Sequence, residues 1–296
     1  MDRPLALYRR YLWESRNISW IYTSDIDKLL ESRRAYHEMY GIANPSSEPT
    51  LRQEIDDLMI GATLASESQV EREMWGWTIR IPLKPWGLFC GVEPEGMVCT
   101  RFTQLSQDAA QDPVGLFAVQ RVTANAPVRQ TSLIPRDTTA RYLVEQYFDE
   151  SEQLPARIAI HGKEALMALS MPDAEWSIVE NLKESDLLAL FHELLKETDC
   201  IARNDADLIS VNSPAEILKL QFAAAQSSKG SMRGDLRIMH EAVYYYDCRC
   251  NESNIRQMLD NLPADQQQVL WGTLTELEIE CPRCGRKHLI KRNTVS

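Results

Sequence analysis

The chain has 296 residues, 44% of them hydrophobic and 25% charged, with a formal net charge of −11. That length admits one large domain plus a small one. The acidity excludes a general nucleic-acid binder, whose phosphate contacts need a basic field. No apolar run approaches the roughly 18 residues of a membrane span, and Met1–Arg10 has too short an apolar stretch for a secretory signal. The expectation is therefore a cytoplasmic protein with neither membrane nor nucleic acid as a partner.

The first part reads as mixed helix and strand. Leu51, Ile55, Leu58, Met59 and Ala62 recur at helical spacing and predict an amphipathic helix over 51–65. From Trp75 to Pro82 the pattern alternates, which puts Trp77, Ile79 and Ile81 on one face of a strand. Strands are also expected over 87–90 and 97–102, joined by the turn-rich Val92–Gly96, and over 114–123 and 156–160. A helix is expected over 138–147. The strands come in runs rather than in alternation with helices, so the fold class is α+β. Trp75, Trp77 and Trp86 read as core residues, and Cys90, Cys99 and Cys200 as buried small apolar ones. A redox pair between Cys90 and Cys99 would need their strands to be neighbours.

The character changes near Pro172. Leu187, Leu188, Leu190, Phe191, Leu194 and Leu195 form a broad apolar face on a helix over 184–197, expected to pack on the core. Ser213-Pro-Ala-Glu216 carries a capping box with proline at the first helical position, and that helix should end near Gln226, before loop chemistry at 226–234. The organisation is thus a core domain over 1–175, a helical linker over 176–240 with a mobile loop near 226–234, and a small module over 241–296. In the module, helices are expected over 251–262 and from Asp265, then a hairpin over 277–290 with Cys281–Gly285 at its tip.

Chemistry concentrates in that module. Cys248-Arg-Cys250 and Cys281-Pro-Arg-Cys284-Gly285 supply two closely spaced thiol pairs, enough for one tetrahedral zinc ion per chain. Gly285 suits a tight turn with positive φ. His288 is a weaker candidate to replace one sulfur. Thiolates are also the oxidisable form of cysteine, so these four residues serve equally as a metal staple or a redox sensor. The histidines at 37, 161, 192 and 240 show no nucleophile–base pattern, and no catalytic residue is expected.

The Cys-x-Cys pair, about thirty residues, then Cys-x-x-Cys resembles the C-terminal mark of the heat shock protein 33 family. Tyr147-Phe-Asp-Glu-Ser-Glu-Gln-Leu-Pro155 resembles that family's Tyr-Phe-x-x-Ser-Glu-Gln-Leu-Pro segment, and Asn261-Leu-Pro263 lies where the family has a similar Leu-Pro. The resemblance implies a redox-regulated, ATP-independent holdase chaperone that is not an enzyme and is inactive while reduced and zinc-bound. It further implies that oxidation forms Cys248–Cys250 and Cys281–Cys284 disulfides, expels zinc and destabilises the linker. Unfolding client proteins then bind, commonly with formation of a homodimer. Two other classes fit parts of the sequence. A zinc-ribbon nucleic-acid module is prompted by Arg283, Arg286, Lys287, Lys291 and Arg292, and a thiol oxidoreductase by Cys281-Pro-Arg-Cys284.

Overall fold

The computed structural model describes residues 3–43, 49–69, 73–82, 84–106, 114–123, 126–137, 139–197 and 236–292. The expected helix capped by Ser213, the loop at 226–234 and Cys200 lie outside the described residues.

Ten strands form one sheet. In chain order they are β1 (Ala6–Trp13), β2 (Ile18–Thr23), β3 (Met74–Arg80), β4 (Trp86–Val92), β5 (Met97–Gln104), β6 (Leu116–Val122), β7 (Arg129–Leu133), β8 (Ala156–His161), β9 (Glu164–Ser170) and β10 (Leu236–Tyr246). The spatial order is β7-β6-β3-β4-β5-β10-β1-β2-β9-β8. Every pairing is antiparallel except β5 with β10, where Tyr245 lies opposite Met97 and Tyr246 opposite Val98. Strand β10 thus joins two antiparallel halves. The tight turn between β4 and β5 requires glycine at Gly96. Its φ is +85°, and a Cβ there would meet the Val243 carbonyl of β10.

Three helices cover one side of this sheet, α1 (Ile26–Met39), α2 (Pro49–Ser66) and α3 (Ala140–Tyr147). Leu51, Ile55, Leu58, Met59 and Ala62 of α2 are all buried, as their helical spacing predicts, in one cluster with Trp75, Trp77, Ile79 and Trp86. Trp75 and Trp77 stack at 5.7 Å and meet the Tyr147 ring edge-on. A fourth helix, α4 (Glu184–Glu197), covers the other side of the β1–β2–β9–β8 half. Its Leu187, Leu188, Phe191 and Leu194 pack on Tyr11, Trp13, Ile18 and Trp20, so the leucine face is buried on the core.

Two short helices, α5 (Glu252–Asp260) and α6 (Ala264–Trp271), and a hairpin of β11 (Glu276–Glu280) and β12 (Lys287–Lys291) complete the chain. Asn251 caps α5 by accepting from Asn254 N at 2.8 Å. This module has a small core of its own, made by Leu259, Trp271, Leu277 and Ile290.

The architecture is α+β, as strands in runs imply. The expected boundary at 240/241 falls inside β10, whose eleven residues belong to the large sheet. The described residues from Asp247 onward lie outside that sheet. Strands β1, β2, β7 and β9 and helix α1 also go beyond the elements expected from the sequence.

Candidate metal centre

Each thiol pair reaches the site from a defined turn. Strand β10 ends at Tyr246, and Asp247 N still donates to Val98 O of β5 at 2.9 Å, which delivers Cys248 and Cys250 directly off the sheet. The second pair sits at the tip of the β11–β12 hairpin. There Cys281 N donates to Arg286 O at 2.8 Å and Gly285 N to Cys281 O at 2.9 Å, with Gly285 at φ +79°. A left-handed residue closes this turn, which is the conformation glycine adopts at least cost.

The ligand atoms of Cys248, Cys250, Cys281 and Cys284 all lie within 4.8 Å of one another. Cys248 Sγ is 3.9 Å from Cys281 Sγ, and Cys250 Sγ is 3.5 Å from Cys284 Sγ. Four sulfurs held tetrahedrally at about 2.3 Å from zinc would stand about 3.8 Å apart. Donor number, donor type and spacing therefore suit a closed four-thiolate site. His288 stands outside the four-sulfur group, with Nε2 3.3 Å from Cys250 Sγ. Burial, then the Arg286 charge, push its pKa down, so the neutral ring is favoured beside the sulfurs.

The four thiols perturb one another strongly. Cys281 is pulled far down because the thiols of Cys248, Cys250 and Cys284 hydrogen-bond to it, with Arg283 N at 3.4 Å adding to this. Cys250 is pushed up by its contacts with Cys248, Cys281 and Cys284. Cys284 is pushed up chiefly by Cys248. For Cys248 the contact with Cys250 lowers the pKa and that with Cys281 raises it, and the balance is upward, to about 12. Four thiolates together need a dication among them.

The core supplies the rest of the cradle. Arg101 of β5 donates to Cys281 O at 2.5 Å and pairs with Glu280 at 3.0 Å. Arg283, between the two hairpin cysteines, pairs with buried Glu93 at 2.5 Å. Arg249 binds Glu95 and lies 3.8 Å from Glu93. From α1, the Tyr36 hydroxyl lies 3.6 Å from Cys284 Sγ, and the Arg286 guanidinium sits 3.7 Å over the Tyr40 ring. Cys248, Cys281 and Cys284 consequently count among the buried residues of the main core. None of these partners was expected from the sequence. They are spread over α1, the β4–β5 turn and β5, and only folding brings them together.

The remaining candidates go elsewhere. Tyr147–Pro155 forms the end of α3, a π-helical turn at Phe148–Glu152 and left-handed Gln153 at φ 56°. Tyr147 OH donates to Glu152 at 2.6 Å, and Glu152 also binds Arg121 at 2.8 Å. This motif shapes the tryptophan core. Strands β4 and β5 are neighbours, but their register sets Cys90 opposite Thr100 and Cys99 opposite Gly91. Successive positions on a strand point to opposite faces, so Cys90 and Cys99 cannot pair. The five basic residues near the end are engaged internally. Arg283 and Arg286 face the core, Lys287 pairs with Glu278 at 2.6 Å, Lys291 with Glu276 at 3.6 Å, and Arg292 lies over Trp271.

A sheet core, a helix covering one half of it and a four-cysteine module seated on the core make a protein whose cysteines are grouped as a metal ion would need them. The family model for Hsp33 protein matches residues 99–291, and the chain belongs to the Hsp33 family, whose members are redox-regulated chaperones rather than enzymes. Among solved structures it is similar to the 33 kDa chaperonin (heat shock protein 33 homologue) of Thermotoga maritima. The TM-score is 0.56 at 14% identity, over 98% of this chain and 95% of that one. No curated protein matches. Among the described residues, no helix is long and apolar enough to cross a membrane.

Proposed function

We propose that the chain is a redox-regulated, ATP-independent holdase whose resting state carries one zinc ion on Cys248, Cys250, Cys281 and Cys284. The observation that carries this reading is the convergence of four sulfurs within 4.8 Å in a chain of the Hsp33 family. Bound zinc supplies a structural crosslink with no open coordination position. Oxidation of the thiolates to Cys248–Cys250 and Cys281–Cys284 disulfides removes the ligands and with them the folding energy of the module. The functional units are then the sheet core including β10, a linker that begins near 176, and the module from Asp247.

The client surface we favour is the face beneath α4. Lifting Leu187, Leu188, Phe191 and Leu194 would uncover Tyr11, Trp13, Ile18 and Trp20, an aromatic patch suited to unfolding chains. Two such faces meeting would account for a homodimer on oxidation, in the cytoplasm where reduced thiols are the resting form. An oxidoreductase reading fares worse, because Cys284 is buried at a hairpin tip rather than at a helix start.

The test is to count zinc in the reduced protein, add hypochlorous acid or peroxide with mild heat, and follow aggregation of a thermally unfolded client. Aggregation should be suppressed only as zinc appears in solution. Zinc release with no suppression would sink the regulated-holdase reading.

A further inference from the structure

A small arginine-lined pocket lies between the first two helices, and it shares no residue with the four-cysteine site. Leu30, Arg33 and Arg34 recur at three- and four-residue spacing on α1, so they share one face, and Arg52 and Asp56 do the same on α2. The two faces meet around a space of about 250 Å³, part of it open to solvent. Arg33 is buried, and its Nη1 donates to Asp56 Oδ1 at 2.5 Å. Its Nε is also buried and has no hydrogen-bond partner among the described residues. A buried donor left unpaired is costly, and an acceptor on a ligand would relieve that cost. Arg34 and Arg52 are exposed and form no hydrogen bond or ion pair among the described residues. All three arginines act electrostatically on Asp56. Three guanidinium groups against one carboxylate leave two positive charges over, in a chain whose net charge is −11.

We propose that this pocket binds a doubly charged oxyanion of the phosphate type. Arginine forks match tetrahedral oxyanions with paired N–H donors, which a lysine ammonium presents only as a point charge. Asp56 fits that role without blocking it. By accepting from Nη1 it fixes the plane of the buried Arg33 guanidinium, and the Arg33 Nε and the two exposed arginines are left for the anion. Size and lining narrow the ligand further. The space is smaller than the roughly 300–1,000 Å³ of sites that take drug-sized ligands. Leu30 is the single apolar side chain that lines it, with no aromatic ring on which a base could stack. The ligand is therefore free phosphate or the phosphoryl end of a small monoester, not a nucleotide. The acidic chain repels anions at long range, so selection rests on close pairing, where a dianion gains most.

Inorganic phosphate can be titrated calorimetrically into the full-length, zinc-loaded protein, with ionic strength held constant by chloride. The expected result is one saturable site per chain, and a melting temperature that rises with phosphate but not with chloride. In a nitrogen–proton NMR spectrum of the wild type, the Arg33 Nε–H signal should shift as phosphate is added. Arg34→Gln combined with Arg52→Gln alters only exposed side chains, so the fold is kept, and binding should weaken about tenfold. Glycerol 3-phosphate separates the two sources of the phosphoryl group. Tighter binding than phosphate assigns the site to a monoester, and equal or weaker binding assigns it to the free ion. Absence of saturable heat, with no rise in melting temperature over chloride, would overturn the site. Saturable binding that the double variant keeps at full strength would overturn it as well, by placing the anion elsewhere on the chain.

Discussion

The sheet core and the cysteine module hold together by different physics. In the core, Trp75, Trp77, Tyr147 and Phe148 interlock under α2 and α3, and each of these side chains is almost wholly removed from water. The module buries four apolar side chains of its own, Leu259, Trp271, Leu277 and Ile290. So few cannot offset the entropy of ordering two helices and a hairpin. Its cysteines are instead buried with the core, and its arginines reach across to Glu93, Glu95 and Tyr40. A region whose stability is borrowed from a neighbour, and from whatever ion its four cysteines bind, can be released without melting that neighbour. That asymmetry is what a switch needs.

The largest test of the contrast is metal removal. Chelation, or Cys284→Ser, should unfold the module while the sheet persists, since apparent binding energies of about 10–16 kcal/mol are typical of structural zinc. Hydrogen exchange would show it: amides of α5, β11 and β12 should lose protection while those of β3 and β4 keep theirs. Continued protection of β11 in metal-free protein would break the comparison. The converse perturbation is Trp77→Ala, which should cost about 3–5 kcal/mol of core stability. Below its lowered melting temperature that variant should still bind one zinc per chain, measured by thiol-displaced metal assay. A loss of zinc in the folded variant would mean that the regions are not separable.

How the sequence announces each region also differs. Helix α4 occupies the expected 184–197 because it has one buried face and so one clear period, and β3 and β5 cover the strands expected from Trp75 and over 97–102. The cysteine hairpin was legible because Cys-x-x-Cys-Gly fixes a turn. Strand β10 was not, although Ala242, Tyr244 and Tyr246 sit at even spacing on its buried side. It follows a sequence rich in serine and glycine at 227–234, and its polar His240 and Glu241 interrupt the run. The cradle of Tyr36, Glu93 and Arg101 has no local signal at all. Those residues acquire meaning only through long-range pairing, which a single sequence does not display.

A smaller effect probes the seam between the regions. Arg283→Ala leaves Glu93 buried with only Arg249, at 3.8 Å, to face it. Stranding that charge should weaken docking of the module by about 2 kcal/mol. The expected readout is faster exchange at Cys281–Arg286 and a lower oxidant requirement for zinc release. Glu93→Gln in the same chain should restore part of the loss, because the uncompensated charge is then gone. If the double variant docks no better than Arg283→Ala, the seam is held by packing rather than by this pair.

The smallest effect lies wholly in the core and should leave the module silent. Glu145 of α3 accepts from Ile158 N at 2.6 Å, and burial pushes its pKa up from 4.5 to about 7. The native state therefore holds a proton that the unfolded chain has released, between about pH 4.5 and 7. Its contribution to stability is complete below pH 4.5 and is lost as pH rises through 7. Because solvent reaches part of this side chain, the loss should be about 1 kcal/mol rather than the full linkage value. Glu145→Gln keeps an acceptor for Ile158 N and removes the titration. Its melting temperature should exceed the wild type's at pH 8 and match it at pH 4.5, with the zinc content unchanged at both. An identical pH profile in the two proteins would show that Glu145 keeps its charge in the fold at no cost.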